Sequence, residues 1–359
     1  MSPKEKQKAD PSTFHKILLI RLRRIGDIIL TTPAVRALKL ALPQAELAYV
    51  VEEPYRRLVE GNPDLAEIIV VPKGQTGRDF AALVRRFRKA EYDAVLDFHG
   101  GPRASLLTLL SGAKIKIGYG VKYRSFIYDV RVPRRTAGVR IHSVENHVNL
   151  VRALGVPVTE IPGLVVPEAR PEEAATVRRF LGEKGLATGG TGRPIVLHIG
   201  AGTNFRDWGA ENMAALVRLL ETRPGVRVIL IGGQEDRAIE AAILERAPET
   251  LSLVGRLNLA ETRELIARAS LFAGPDSGPM HIAAATGTPI VAWFGPNVTA
   301  HVAPWKPRAE TRTIEKDLDC RPCKQRECVH GDIRCIRTIT PEEVFEACDV
   351  IIGGNQSAS

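Results

Sequence analysis

The run LFAGPDSGPMHIAAATGTPIVAWFG, Leu271 to Gly295, is the stretch from which the fold can be read. Its apolar opening predicts a short strand over residues 270–273, Gly274 to Pro279 a tight turn, the small residues beyond it a helix starting near Met280, and residues 289–294 a second buried strand. Pro275 and Pro279 fix φ and restrict the residues before them, and glycine supplies conformations that other residues resist, so the turn is stiff. The first helical turn leaves free N–H groups and a partial positive charge, which suits an anion at the end of the strand. Asp276 and Ser277 also suit plain helix capping, and local chemistry alone leaves both readings open. Ala283 to Gly287 are small enough to lay the helix close against a neighbouring strand.

Outward from this unit the same alternation repeats. KILLIRL, from Lys16, reads as a buried strand, followed by RRIGD and a helix over about residues 28–42 that contains Pro33. Strands are expected at 46–51, 67–71, 94–98 and 116–119, with helices at 54–60, 78–89, 103–111 and 142–154 between and after them. Residues 157–170 carry Pro157, Pro162 and Pro167 and read as a connection between domains. A helix at 171–185, the glycine-rich turn ATGGTGRP and strands at 195–199, 227–231 and 251–254 lead back to the opening run. Strands alternating with helices imply mainly parallel sheets, and 359 residues exceed one ordinary core, so the fold class is α/β with two parallel-sheet domains.

Composition narrows the function. A formal charge of +9 favours polyanionic partners such as phosphorylated glycolipid or an anionic membrane face, though a basic surface also simply aids solubility. Aromatic residues are only 5% and do not interleave with basic ones as base-stacking surfaces require, which argues against nucleic acid. No apolar run is long enough to span a bilayer, and the charged N-terminus lacks an adjoining signal-type core, so a cytoplasmic location is expected. Neither strand-to-helix turn satisfies GxGxxG, so the dinucleotide fingerprint is absent.

Several residues could carry chemistry. Asp27 follows Gly26 at the edge of the first strand, where a carboxylate serves as a base or as a helix cap. Gly200, Ala201 and Gly202 follow the strand at 195–199 and let backbone N–H groups approach a phosphate, with Thr203, Arg206 and Trp208 just beyond. Gly232, Gly233 and Glu235 close another strand. His281 lies in the first turn of the central helix, as a ligand contact or a satisfied helix histidine. Arg56, Arg57, Arg103, Lys122, Arg124 and Arg140 sit near strand ends or loops, each also readable as a solvated surface charge. Cys320, Cys323, Cys328 and Cys335 have a spacing that could build a structural zinc site or remain reduced thiols, and Asp317 with Asp319 forms a DxD remote from the nucleotide motifs.

DSGPMHIAAATGTPIVAWFGP resembles the donor-site signature of glycosyltransferase family nine, and the likeness runs from KILLIRLRRIGD to the cysteine segment, which resembles the heptosyltransferase II branch. The resemblance implies a GT-B architecture with two Rossmann-like domains facing a central cleft. Residues 1–13 would be a disordered tail, 14–167 the acceptor domain, 168–340 the donor domain, and 341–359 a helix and tail, the helix packing back on the first domain. It implies inverting, metal-independent transfer of heptose from ADP-heptose to the lipopolysaccharide inner core, with no cofactor required. The acceptor would be a lipid A–Kdo type glycolipid at the anionic cytoplasmic face of the inner membrane. Asp27 would act as base, and Gly26, Arg56, Arg57, Arg103 and Arg124 would bind acceptor. Gly200, Thr203, Arg206, Glu235, Asp276, Ser277, Gly278, Pro279 and His281 would bind donor. Relatives usually carry lysine where Arg206 stands; arginine offers a fork instead of a point charge. Another family sugar transferase with a different donor, a UDP-sugar epimerase of the same shape and a non-catalytic polyanion-binding protein are the competing expectations.

Overall fold

The computed structural model describes residues 11–72, 74, 76–134, 141–186, 192–200 and 202–354. Ala201, Arg140 and residues 1–10 of the expected tail lie outside them. The chain divides into two compact units, Met1–Pro167 and Glu168–Ser359.

In the first unit, strands β1 (Lys16–Ile20), β2 (Glu46–Glu52), β3 (Glu67–Val71), β4 (Ala94–Asp97), β5 (Ile115–Tyr119) and β6 (Val130–Val132) form one sheet. Their order is β3-β2-β1-β4-β5-β6 and every pairing is parallel. Such strands are covered on both faces, so they read as near-continuous apolar runs: Ile17, Leu18, Leu19 and Ile20 are all fully buried. In the second unit, β7 (Arg193–His198), β8 (Val226–Ile231), β9 (Leu251–Ser252), β10 (Leu271–Pro275), β11 (Ile290–Phe294) and β12 (Thr311–Glu315) take the order β12-β11-β10-β7-β8-β9, again all parallel. Counted from its own first strand, each sheet therefore has the order 3-2-1-4-5-6, which reverses direction beside that first strand. Crevices at such reversal points, at the carboxyl ends of the strands, are where open α/β sheets bind ligands.

The structure corrects several expectations. The helix foreseen over residues 28–42 is two, Ile25–Ile29 and Thr32–Ala41. Pro33, at the second position of the latter, has no N–H to continue the former and fits a helix start. Residues 54–60 form a 3-10 turn, Glu53–Leu58, instead of an α-helix. Pro11–Thr13 also form a 3-10 turn that leads into buried Phe14, so these three are not part of a featureless tail. β6 and β12 are edge strands that the sequence reading missed. The final helix, Pro341–Gly354, was expected against the first domain; within the second unit its Val344, Cys348, Ile351 and Ile352 enter the core with Trp208, Trp293 and Leu197. The apolar face of this helix is thus consumed by its own sheet, and it lies against the helix Ala210–Glu221.

Candidate active site

At the reversal point of the first sheet, β1 runs into Arg21 and the helix that holds Asp27, while β4 ends at Asp97. Arg21 is buried; its Nη1 donates to the Phe98 carbonyl at 2.7 Å and its Nη2 lies 2.5 Å from Asp27 Oδ2. Asp27 is crowded by protein yet its side chain is 48% exposed, which leaves it reachable by a substrate. Burial alone would push its carboxyl up, but the charge and hydrogen bond of Arg21, the proximity of His147 and the Arg24 backbone hold it below the usual value. Asp27 therefore contributes partly to the helix start and stays ionised at neutral pH. Asp97 is fully buried, accepts from the His99 and Gly100 backbone N–H groups and from the Tyr128 hydroxyl, and is nevertheless pushed up by burial. His99 is lowered to about 4, by burial first and by Arg21 and Arg23 next, so it is neutral. His147, in the helix Ser143–Ala153, is buried and pairs through Nδ1 with the Tyr119 hydroxyl at 2.7 Å. One ionised carboxylate thus faces solvent from a platform of neutral or paired groups.

The expected acceptor residues are dispersed around this edge. Gly26 lies in the same helical turn as Asp27. Arg56 and Arg57 both pair with Glu60, Arg103 with Glu52 at 3.1 Å, and Arg124 donates to the Gly100 carbonyl.

The reversal point of the second sheet lies between β7 and β10, and there the structure brings distant motifs together. Arg206, in the 3-10 turn Asn204–Arg206, donates from Nη1 to the Asp276 carbonyl at 3.1 Å, with Asp276 Oδ2 3.5 Å away. Asp276 is buried and accepts from Asn297 Nδ2 at 2.6 Å, so that oxygen is already engaged. Ser277 is the N-cap of the helix Gly278–Thr286, with Pro279 in its first turn, but its side chain makes no capping bond. Its Oγ is buried with no hydrogen-bond partner among the described residues. Side-chain capping therefore does not account for Ser277, and a helix N-terminus of this kind suits an anion. His281 is buried inside that helix. Gly200 requires its missing side chain, because a Cβ there would collide with the Asp236 carboxylate. Glu235 is exposed on the same turn, while buried Asp236 accepts from the Gly233 N–H at 2.7 Å and holds the two glycine loops apart. His198, at the end of β7, is lowered to about 4 by burial.

The sequence reading missed four participants: Arg21, Asp236, Asn297 and Gln325. Arg21, a charge ending an apolar strand, and Asp236, beside a glycine pair, left a local signal; the other two left none. Thr203 Oγ1 and Arg206 Nε both reach Gln325 Oε1, at 3.5 and 3.2 Å. The cysteines are free thiols, and among the described residues no three His, Cys, Asp or Glu side chains are grouped so as to hold a metal ion.

Two doubly wound parallel-sheet units, each gathering polar side chains at its own reversal point, give the α/β domain folds of which the GT-B architecture is built. The family model for glycosyltransferase family 9 (heptosyltransferase) matches residues 80–334. Lipopolysaccharide heptosyltransferase 3 of Escherichia coli is 27% identical over 301 residues, 80% of this chain and 84% of that protein. Among solved structures, the family 9 glycosyltransferase from Veillonella parvula superposes with a TM-score of 0.80 at 24% identity, covering 96% of this chain and 99% of that one. ADP-heptose lipopolysaccharide heptosyltransferase II of Escherichia coli gives 0.74 at 22% identity, covering 95% and 99%. The chain belongs to glycosyltransferase family 9, the heptosyltransferase family, and is a glycosyltransferase.

Proposed function

We propose that the chain moves a heptose from ADP-L-glycero-D-manno-heptose to the inner core of lipopolysaccharide, inverting the anomeric centre and using no metal. The observation that carries this reading is the joining of Arg206 and Asp276 beside an uncapped helix N-terminus at one sheet's reversal point. That arrangement supplies fixed positive groups where a leaving diphosphate develops charge. The names of the relatives support the sugar and the acceptor class.

In the reaction, Asp27 accepts the proton of the attacking sugar hydroxyl as its oxygen bonds to the anomeric carbon. The bond from that carbon to the diphosphate breaks, and ADP leaves with the electron pair. Arg206 and the N–H groups that follow Ser277 neutralise the departing charge, Gly200 and Thr203 line the approach, and Glu235 accepts from the ribose hydroxyls. Gly26, Arg56, Arg57, Arg103 and Arg124 receive the anionic groups of a lipid A–Kdo acceptor. Among the described residues no helix is long and apolar enough to cross a membrane. The basic balance of the chain fits peripheral residence at the anionic cytoplasmic face of the inner membrane. The test is a panel of ADP-, UDP- and GDP-sugars offered with a Kdo-bearing lipid acceptor and read by product mass. A heptose-sized increment from the ADP-sugar alone supports the reading, whereas transfer from UDP- or GDP-sugars, or turnover without acceptor, refutes it.

A further inference from the structure

The cysteine-rich segment ends up at the donor turn although it lies far from it in sequence. Buried Arg321 fastens the segment: it donates to the backbone carbonyls of Gly295, Asn297 and Lys316 and pairs with Glu315 at 2.7 Å. The Cys323 N–H adds a bond to the Pro296 carbonyl at 3.2 Å. Every one of these attachments is to the end of β11, the turn after it, or β12 and its exit, so the segment is held as a strap beside the turn that carries Asn297.

The strap delivers Gln325. Its Oε1 accepts from Arg206 Nε at 3.2 Å, and its Nε2 donates to Asn297 Oδ1 at 3.0 Å. Asn297 in turn donates to Asp276 at 2.6 Å, and Asp276 receives Arg206 Nη1 on its carbonyl. Four residues from four loops close a ring of hydrogen bonds, Asp276 through both its side chain and its backbone carbonyl. Within it the amide orientations are mutually determined: Gln325 must present oxygen to Arg206 and nitrogen to Asn297, and Asn297 oxygen to Gln325 and nitrogen to Asp276. The ring occupies Nε and Nη1 of Arg206 and leaves Nη2 without a bond among the described residues.

We propose that Gln325 is a positioning residue for sugar transfer, holding the Arg206 guanidinium so that its Nη2 edge is presented to the donor diphosphate. The inference rests on the reading of Arg206 as a diphosphate ligand. A long, flexible arginine pays rotamer entropy whenever it is ordered on a ligand, and the ring orders it in advance. The cysteine segment is then part of the donor site through its one glutamine, whatever the state of its thiols.

The test is a double-mutant cycle on the full chain, read by calorimetry with ADP. The variants are Arg206→Ala, Gln325→Met, which keeps the side-chain length and removes both polar atoms, and the two combined. Gln325→Met is expected to weaken ADP about tenfold, the scale of one hydrogen bond to a charged group. On the Arg206→Ala background the same change should cost less than about twofold, because the partner it orients is gone. With substrate, the donor KM should rise while the acceptor KM stays. If Gln325→Met does not fold, Asn297→Ala breaks the same ring and is expected to show the same dependence on Arg206. Loss of ADP affinity in Arg206→Ala but not in either ring variant overturns the positioning role and leaves the donor assignment standing. Equal losses on both backgrounds overturn it too, since Gln325 would then act independently of Arg206. Unchanged affinity in Arg206→Ala removes the donor assignment itself, and the inference with it.

Discussion

Asp27 is both ion-paired and open to solvent, a combination set by its neighbour. Arg21 has spent one guanidinium nitrogen on a backbone carbonyl and cannot follow the carboxylate elsewhere, so the carboxylate is fixed to it. The folded carboxyl lies below its ordinary 3.8, so the pair contributes stability above that value and loses it as acid protonates Asp27. The acid limb of kcat/KM should accordingly fall below pH 3.8. Replacing Arg21 with methionine removes its charge and its hydrogen bond and leaves burial, so the limb should move upward; a limb that stays put would show that Arg21 does not govern Asp27. The candidate site was legible in the sequence where a residue lies in the turn or first helix after a buried strand, as Asp27, Arg206 and Asp276 do. Gln325 was not, because the 119 residues separating it from Arg206 hide a contact made only by tertiary folding.

Elements were legible wherever one apolar period persists, as in the buried strands β1 and β7, and illegible at edges and ends. β12 reads TRTIE, with exposed positions that resemble a loop, and its strand character comes from pairing with β11. The final helix has an apolar face, but which sheet that face meets is not written in its period. Its packing has a chemical consequence. Burial pushes the Cys348 thiol up, whereas the backbone N–H groups of His330 and Ile333 aimed at Cys328 hold that thiol below its usual value. Alkylation of the native protein followed by mass spectrometry should label Cys328 well before Cys348; the reverse order would contradict the packing of the helix. The same region fastens the loop that follows Arg206, because Trp208 Nε1 donates to the Ile339 carbonyl at 2.8 Å. Trp208→Phe leaves a buried carbonyl unpaired and should lower unfolding stability by about 1–3 kcal/mol in urea titrations.

For the whole molecule, two units are built on the same strand order and each has its own core, and the proposed function divides one reaction between them. Nucleotide binding should therefore slow amide exchange most strongly in the second unit, around residues 199–206, 232–236, 276–281 and 321–326. Strongest protection in the first unit would place the nucleotide wrongly. The charge of +9 adds a long-range attraction to anionic acceptors that weakens with ionic strength, so acceptor KM should rise with salt while ADP affinity changes less. The central claim is that one carboxylate supplies the base and the second unit supplies the donor grip. Its most direct measurement is Asp27→Asn, assayed for product mass at saturating ADP-heptose and, in parallel, for ADP affinity by calorimetry. The account predicts transfer reduced by about 10²–10⁴-fold with ADP affinity unchanged; full transfer by the variant would contradict it.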